Sequence, residues 1–384
     1  MLTSGIHLKN FKIKYRQKEA KNNLDKILKE KNQIILSLSK NYKNSFNKNL
    51  VNKFKYKKNY RLIGMGGSSL GAHAIYQFLR KKIKKNFLFF DNLQTKYNKD
   101  KKTKFTNLII SKSGNTIETI ANSNILLNKK DKNIFITENK KNYLSLLAEK
   151  LKAEVVEHNN FIGGRYSVLS EVGMLPAELM GLNSSKFKQL NLLVKNKNFI
   201  SSLIANVSSI FLLHKKKNFN SIIINYDEKS ENLFKWYQQL VAESLGKKKK
   251  GLLPIVSNMP RDNHSVMQLY LDGFQNNFYT FFFVHDKKSD KIKNKSILSS
   301  HNFLKNKNLY NILYAQKNAT ENVFKKKKIP FRSFEIKQRD EKTLGELFAF
   351  FILETILLGK LLKINPYDQP AVELIKKDTK KLLI

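Results

Sequence analysis

Short, mostly apolar runs alternate with amphipathic segments from about residue 60 to residue 157 of this chain. Apolar runs of this length predict buried strands, whereas apolar residues spaced three and four apart predict helices. The predicted strands are residues 61–65, 87–90, 108–111, 134–137 and 154–157, and the predicted helices are residues 68–82, 115–127 and 141–151. Because short apolar runs alternate with amphipathic helices, we expect a parallel sheet that is covered by helices on both faces.

The same alternation starts again in the second half of the chain. Residues 186–215 and 231–245 are predicted to be helical, and strands are predicted at residues 221–226, 278–284 and 331–336. A further helix is indicated by apolar residues at i, i+3, i+4, i+7 and i+8, which are Leu344, Leu347, Phe348, Phe351 and Ile352. From this second alternation we expect an α/β protein with two αβα sandwich domains and parallel central sheets. The chain shows no sequence repeat of fixed period.

The first fifty residues are polar and rich in Lys and Asn. Their few apolar positions predict one or two helices in a surface arm, and these positions are Leu24, Ile27, Leu28, Ile34 and Ile35. We therefore expect an N-terminal helical arm over residues 1–50, a first domain over 51–185, and a second domain with a C-terminal helix over 186–384.

Length and composition narrow the class of protein. A chain of 384 residues with 41% hydrophobic residues, 27 Phe among them, can form two packed cores and is not a disordered protein. The absence of Cys excludes disulfides, thiolate metal sites and a cysteine nucleophile. No apolar run reaches the roughly 18 residues of a spanning helix, and the first residues do not resemble a signal or transit peptide, so we expect no membrane partner and a cytoplasmic location.

The net charge of +42 raises the question of nucleic-acid binding. Only seven of the 72 basic residues are Arg, the side chain that reads guanine and grips phosphates in a fork; the other 65 are Lys spread along the whole chain. This distribution favours a lysine-rich surface that attracts anions nonspecifically, and we expect no nucleic-acid partner.

Two loops follow predicted strands and open predicted helices. The first reads GMGGSSLG over residues 64–71 and includes Gly67 and Ser68; it lacks the third glycine of a dinucleotide fingerprint, because Ser69 stands there, and it lacks the Lys of a P-loop. The second reads SKSGNTIE over residues 111–118. Tight turns and helix caps would explain part of these sequences. Two such loops at adjacent strand ends favour a sugar phosphate, since open α/β sheets bind ligands at the carboxyl ends of their strands.

Four further stretches carry candidate chemistry. They are GGRYS over residues 163–167 with Arg165, QLVAESLGK over residues 239–247 with Gln239 and Glu243 one helical turn apart, His264 after PRDN, and DQPAVELIK over residues 368–376 with Gln369 and Lys376. A half-buried Glu can act as a general base. Taken alone, however, each residue has an ordinary alternative, such as a surface Arg, a solvated Glu or one Lys among 65.

Together and in this order, the six stretches resemble the phosphoglucose isomerase family from residue 64 to residue 376. The resemblance implies two sugar isomerase (SIS) domains, each a parallel αβα sandwich, and a homodimer with active sites shared between subunits. It also implies an aldose–ketose isomerase that interconverts glucose 6-phosphate and fructose 6-phosphate through a cis-enediolate, with no metal and no cofactor.

The resemblance also implies a role for each candidate residue. Glu243 would move the proton between C1 and C2, Arg165 would stabilise the enediolate, and His264 of the neighbouring subunit would open the sugar ring together with Lys376. The substrate would be bound by Gly67, Ser68, Ser111, Lys112, Ser113, Thr116, Glu118, Gln239 and Gln369. Within this set, Ser111, Ser113 and Thr116 would hold the phosphate and Glu118 would partner the catalytic His.

Two alternatives stay open at this point. One is an SIS-domain isomerase of another sugar phosphate, such as mannose 6-phosphate, because Leu245, Asp262 and Ile375 depart from the usual residues of the family. The other is a sensor that binds a sugar phosphate without turnover. The presence of Glu243, His264 and Lys376 argues against a sensor, which would need only the loops rich in hydroxyl groups.

Overall fold

The computed structural model describes residues 1–13, 17–97, 103–128 and 131–384. In chain order its strands are β1 (Ile6–Lys9), β2 (Asn59–Gly64), β3 (Asn86–Phe90), β4 (Thr106–Ile110), β5 (Lys132–Thr137), β6 (Glu154–Glu157), β7 (Asn220–Asn225), β8 (Leu253–Asn258), β9 (Asn277–Val284) and β10 (Phe331–Ile336).

The α-helices cover the faces of the sheets. In chain order they are α1 (Lys18–Lys29), α2 (Gln33–Ser37), α3 (Lys48–Phe54), α4 (Leu70–Phe78), α5 (Ile117–Leu126), α6 (Tyr143–Lys150), α7 (Glu171–Met180), α8 (Leu190–Leu193), α9 (Lys197–Lys215), α10 (Glu231–Leu245), α11 (Met267–Asp272), α12 (Leu309–Lys326), α13 (Glu341–Leu361) and α14 (Val372–Leu382). Short 3-10 helices connect some of these elements, and those that bear on the site are Gly66–Ser68, Gly164–Leu169 and Arg261–His264.

The first sheet has the strand order β3-β2-β4-β5-β6, and all of its strand pairs are parallel. The chain moves outward from β2 to β3 and then returns past β2 to β4, so the direction of winding reverses between β2 and β4. At such a reversal the loops after the two strands diverge and leave a crevice at the carboxyl end of the sheet. The loops rich in glycine and hydroxyl groups follow these two strands.

The second sheet has the order β1-β10-β9-β7-β8, in which β7 to β10 are parallel and β1 is antiparallel to β10. The strand β1 covers what would otherwise be an exposed sheet edge. The prediction of two αβα units with parallel central sheets is confirmed, and β6, α10 and β10 have the predicted bounds.

The N-terminal residues differ from the expected surface arm. Residues 6–9 form a strand of the second sheet, and Leu24, Ile27, Ile34 and Ile35 are buried in the main core. The polar composition of this segment hides its buried stripe, because the helix α1 faces solvent with most of its residues. The domain boundaries proposed at residues 50/51 and 185/186 stay a prediction.

Several elements have no counterpart in the sequence pattern, and β8, α7 and α12 are those that the local pattern argues against. The strand β8 contains Pro254 and polar residues, the helix α7 carries Pro176 in its interior, and the helix α12 buries only Lys317, Glu321 and Phe324. In each case tertiary packing outweighs a local pattern that argues against the element. None of the helices in the described part of the chain combines the length and the apolarity that a bilayer crossing requires.

A buried ion pair connects the elements of the second unit. The guanidinium of Arg332 on β10 contacts the carboxylate of Glu354 on α13, and their side chains are 0% and 3% exposed. Arg332 Nε donates to Thr280 Oγ1 on β9 at 2.9 Å, and Nη1, which also contacts Glu354, donates to Asn206 Oδ1 on α9 at 2.8 Å. Tyr237 on α10 donates to Glu354 Oε1 at 3.3 Å. One charge pair therefore connects two strands and three helices of the core.

We predict that Glu354→Gln lowers the free energy of unfolding by roughly 3–5 kcal/mol, because it leaves the charge of Arg332 buried without its partner. Chemical denaturation followed by circular dichroism measures the loss. The control is Glu231→Gln, which removes an exposed i,i+4 partner of Lys235 and should cost less than about 1 kcal/mol. Equal effects of Glu354→Gln and Glu231→Gln would contradict the prediction. The double variant Arg332→Met with Glu354→Leu, which removes both charges, should recover most of the lost stability.

Candidate active site

The crevice of the first sheet is bordered by the loop after β4, which contains the predicted phosphate-binding residues. Ser111 is buried, and its Oγ lies 2.9 Å from Oγ1 of Thr116, the residue that precedes the helix α5. Gly114 between them has φ +67, a left-handed conformation that favours glycine. The loop therefore places two hydroxyl groups beside the free N–H groups at the start of a helix, which is a suitable arrangement for an anion.

The other candidates of this loop point in different directions. Lys112 Nζ donates to the carbonyl oxygen of Asn160 at 2.8 Å and lies 3.7 Å from Glu138 Oε1, and burial lowers the pKa of Lys112. Ser113 is exposed and accepts a hydrogen bond from a backbone N–H of the same loop. The side chain of Glu118 is half-buried in the first turn of α5 and makes no hydrogen bond or ion pair with the residues that the structure describes.

The glycine loop after β2 packs directly against the GGRYS stretch. A Cβ on Gly67 would overlap the carbonyl group of Gly164 and would lie 2.6 Å from the backbone nitrogen of Arg165. Gly66 has φ +52, and a Cβ there would lie 2.8 Å from Nε2 of Gln239 on α10. The small residues of this loop thus allow three segments from distant parts of the chain to meet at the crevice.

Arg165 lies at the centre of this meeting point with only 2% of its surface exposed. Its Nε donates to Ser244 Oγ at 2.8 Å, and its Nη2 donates to the carbonyl oxygens of Pro366 at 2.8 Å and Asp368 at 3.0 Å. Its Nη1 donates to Oε2 of Glu243 at 3.2 Å and to Oε1 of Gln369. Every nitrogen of the guanidinium is therefore bonded, and the charge is held in one place.

Glu243 keeps access to solvent, since its side chain is 26% exposed. Its Oε1 accepts from Nε2 of Gln239 at 2.8 Å, one helical turn earlier. The other amide atom, Gln239 Oε1, is buried and has no hydrogen-bond partner among the described residues. A buried unpaired acceptor is costly, so an incoming hydroxyl group would find a ready partner there.

The structure brings together five of the predicted site residues and leaves others outside that group. The five are Gly67, Arg165, Gln239, Glu243 and Gln369. The side chain of His264 is exposed after β8 and makes no hydrogen bond or ion pair with the described residues. Lys376 is exposed on the helix α14. Among the described residues, no group of three or more His, Asp or Glu is arranged to hold a metal ion.

Sequence reasoning missed several residues of the site. Tyr166 and Ser244 bond each other at 2.7 Å, Trp236 Nε1 donates to the carbonyl oxygen of Arg165 at 3.1 Å, and Lys247 pairs with Asp368 at 2.7 Å. Except for Trp236, these residues lie inside the stretches that carry the resemblance. In the sequence Tyr166 follows Arg165, Ser244 follows Glu243 and Asp368 precedes Gln369, and this adjacency is the signal that could have identified them.

The arrangement of two αβα units with parallel sheets is also the fold of solved phosphosugar isomerases. The structure superposes with a TM-score of 0.80 on a hypothetical protein of Thermus thermophilus, at 23% identity and over 96% of this chain and 94% of that one. It superposes with a TM-score of 0.71 on a glucose-6-phosphate isomerase of Chlamydia trachomatis, at 18% identity and over 95% and 78% of the two chains.

The family model of phosphoglucose isomerase matches residues 40–383. The chain is 34% identical over 351 residues to a glucose-6-phosphate isomerase of Mycoplasmopsis pulmonis, covering 84% of this chain and 82% of that one. It is 31% identical over 342 residues to a glucose-6-phosphate isomerase of Methanocaldococcus jannaschii, covering 83% and 82%. The chain belongs to the phosphoglucose isomerase family, as the order of its motifs predicts.

We predict that Gly67→Ala destabilises the protein by about 1–3 kcal/mol, the usual range for overpacking, because the new methyl group must displace the backbone of Gly164 and Arg165. The midpoint of urea denaturation measures the change. Gly163→Ala is the matched control, since a Cβ there meets nothing closer than 3.8 Å and the residue has φ −67. If both variants unfolded at the same urea concentration, the close approach at Gly67 would not limit this site.

Proposed function

We propose that this protein is an aldose–ketose isomerase that interconverts glucose 6-phosphate and fructose 6-phosphate. The observation that supports this proposal most strongly is the contact of a partly exposed carboxylate, Glu243, with the fully bonded guanidinium of Arg165 in the crevice of the first sheet. A base beside a fixed positive charge is what the transfer of a proton next to a carbonyl group requires. A cytoplasmic location belongs to the same proposal.

The charges of this pair remain balanced through the reaction. In the resting site the carboxylate of Glu243 is paired with the guanidinium of Arg165. When Glu243 takes the proton from C2 of the open-chain aldose, it becomes neutral and the negative charge moves to the enediolate. Arg165 then stabilises the enediolate without having to move. Glu243 returns its proton to C1 while the hydroxyl proton of O2 moves to O1, which gives the ketose.

The polar groups around the pair suit a sugar phosphate. We assign the phosphate to the loops at the start of α4 and α5, with Ser111 and Thr116 as the principal donors and Gly67, Ser68 and Ser113 beside them. Lys112 of the same loop would contribute only its charge, because its Nζ is bonded to the carbonyl oxygen of Asn160 and lies near Glu138. The sugar would extend from there toward Gln239 and Gln369, whose amide groups border Glu243 and Arg165. The unpaired Gln239 Oε1 would accept from a sugar hydroxyl group.

The proposed homodimer follows from the groups assigned to ring opening, His264 and Lys376. The exposure of His264 and its lack of partners within the described residues are consistent with a side chain that a second copy receives. In that copy it would meet Glu118, which is half-buried and has no partner among the described residues. Lys376 would act with His264 at the ring oxygen and O1. Two-fold symmetry would then give two complete sites per dimer.

We predict that Glu243→Gln lowers kcat for conversion of fructose 6-phosphate by about 10²–10⁴-fold, the usual contribution of a general base. The affinity for glucitol 6-phosphate, which cannot react, should stay within about threefold, because the amide still accepts from Gln239. Glu231→Gln on the same helix is the control and should keep wild-type turnover. A loss of less than tenfold in Glu243→Gln would exclude this residue as the base.

We predict that mixing Glu243→Gln with His264→Ala protein, under conditions that let subunits exchange, restores about a quarter of wild-type activity. Half of the dimers would then be mixed, and each mixed dimer would carry one of its two sites intact. Mass spectrometry of tagged subunits confirms the exchange. Exchange without recovery would mean that both residues act within one chain, and the shared-site part of the proposal would be wrong.

A further inference from the structure

A closed ring of hydrogen bonds surrounds one side of the Arg165 guanidinium. Arg165 Nε bonds Ser244 Oγ at 2.8 Å, Ser244 Oγ bonds the Tyr166 hydroxyl at 2.7 Å, and that hydroxyl bonds the carbonyl oxygen of Pro366 at 2.9 Å. Arg165 Nη2 reaches the same carbonyl oxygen at 2.8 Å and closes the ring. All four residues are buried.

The position of every hydrogen in this ring follows from the donors available. Arg165 can only donate, and the carbonyl oxygen of Pro366 can only accept. Burial raises the pKa of Tyr166, so its hydroxyl keeps its single hydrogen. If the Tyr166 hydroxyl donated this hydrogen to Ser244, the oxygen of Tyr166 and the carbonyl oxygen of Pro366 would face each other with no hydrogen between them. The hydroxyl of Tyr166 therefore donates to Pro366, and Ser244 accepts from Arg165 and donates to Tyr166.

This ring restricts where the reactive side of the guanidinium can lie. A guanidinium is planar, so fixing Nε and Nη2 determines the position of Nη1. Nη1 is the nitrogen that contacts Glu243 and Gln369. Ser244 is the neighbour of Glu243 on α10, and Pro366 belongs to the segment that leads to Gln369. The ring thus connects the helix of the base, the Arg and the C-terminal segment.

We propose that Ser244 and Tyr166 are positioning residues, which hold Arg165 where it stabilises the enediolate and align it with Glu243. This inference rests on the proposed isomerase activity and adds two residues that touch neither the substrate nor the transferred proton. Since the ring acts on the orientation of Arg165, its loss should affect the transition state more than the bound substrate.

The variants Ser244→Ala and Tyr166→Phe separate this role from a purely structural one. Ser244→Ala should lower kcat by about 10- to 100-fold, because Arg165 Nε loses a charge-assisted hydrogen bond. Tyr166→Phe should lower it by only about two- to tenfold, since Pro366 still accepts from Arg165. The double variant should lose no more than about twofold beyond Ser244→Ala, because both substitutions break the same ring.

Two ligands report on the transition state and the ground state. Affinity for the hydroxamate of a five-carbon sugar acid 5-phosphate, whose planar group mimics the enediolate, should fall in proportion to kcat. Affinity for glucitol 6-phosphate should stay within about threefold. The matched controls are Ser209→Ala and Tyr60→Phe, which remove buried hydroxyl groups that bond only backbone carbonyls, and both should keep wild-type kcat.

The outcomes distinguish this inference from the proposed function. No isomerisation by the wild-type protein would refute the proposed function, and the positioning role with it. An active wild type combined with a Ser244→Ala variant of unchanged kcat, or with equal losses of both affinities, would refute the positioning role alone. If Ser244→Ala did not fold, Tyr166→Phe would decide: a proportional fall of kcat and hydroxamate affinity supports the role, and unchanged values refute it.

Discussion

The buried guanidinium of Arg165 is the constraint on which the arrangement of the site depends. A charge that is 2% exposed must have each N–H bonded, and the bonds come from α10, from the backbone of residues 366–368 and from Gln369. These groups are up to 204 residues apart from Arg165 in the chain. The close approach of Gly67 to the Arg165 backbone adds the glycine loop. The fold brings these segments together around one buried charge, and the same packing places the carboxylate of Glu243 in contact with Arg165.

The two units differ in the residues that follow the strands at the winding reversal of each sheet. Each sheet has a winding reversal, between β2 and β4 in the first and between β7 and β9 in the second. In the first unit small polar loops leave a crevice there. In the second, Asp227 and Asp286 follow the two strands and are paired with Arg339 and Lys81, each at 2.7 Å. Lys81 belongs to the first unit, so its ion pair with Asp286 joins the two units at this reversal.

The elements that the sequence predicts well are those whose burial pattern is local. Strands such as β4 and β5 are apolar along most of their length because helices cover both faces, and β10 and α10 end where their apolar patterns end. The edge elements are different. Pairing of β1 with β10 joins opposite ends of the chain, since Ile6 lies opposite Ile336, and residues 6–9 by themselves give no sign of it. The buried Lys317 of α12 is acceptable because the carboxylates of Glu335 and Glu321 lie 2.6 Å and 2.7 Å from its Nζ.

The sequence alone determines the fold class, the family and the residue types of the site, because periodic burial and short motifs are properties of neighbouring residues. It does not determine which motif residues touch. Only the tertiary structure joins Arg165 to Glu243 and Gln369, directs Lys112 to Asn160 rather than to Ser111 and Thr116, and closes the ring through Tyr166 and Ser244. The physical reason is that hydrogen bonds act over about 3 Å, so which donors meet which acceptors is decided by how distant segments pack.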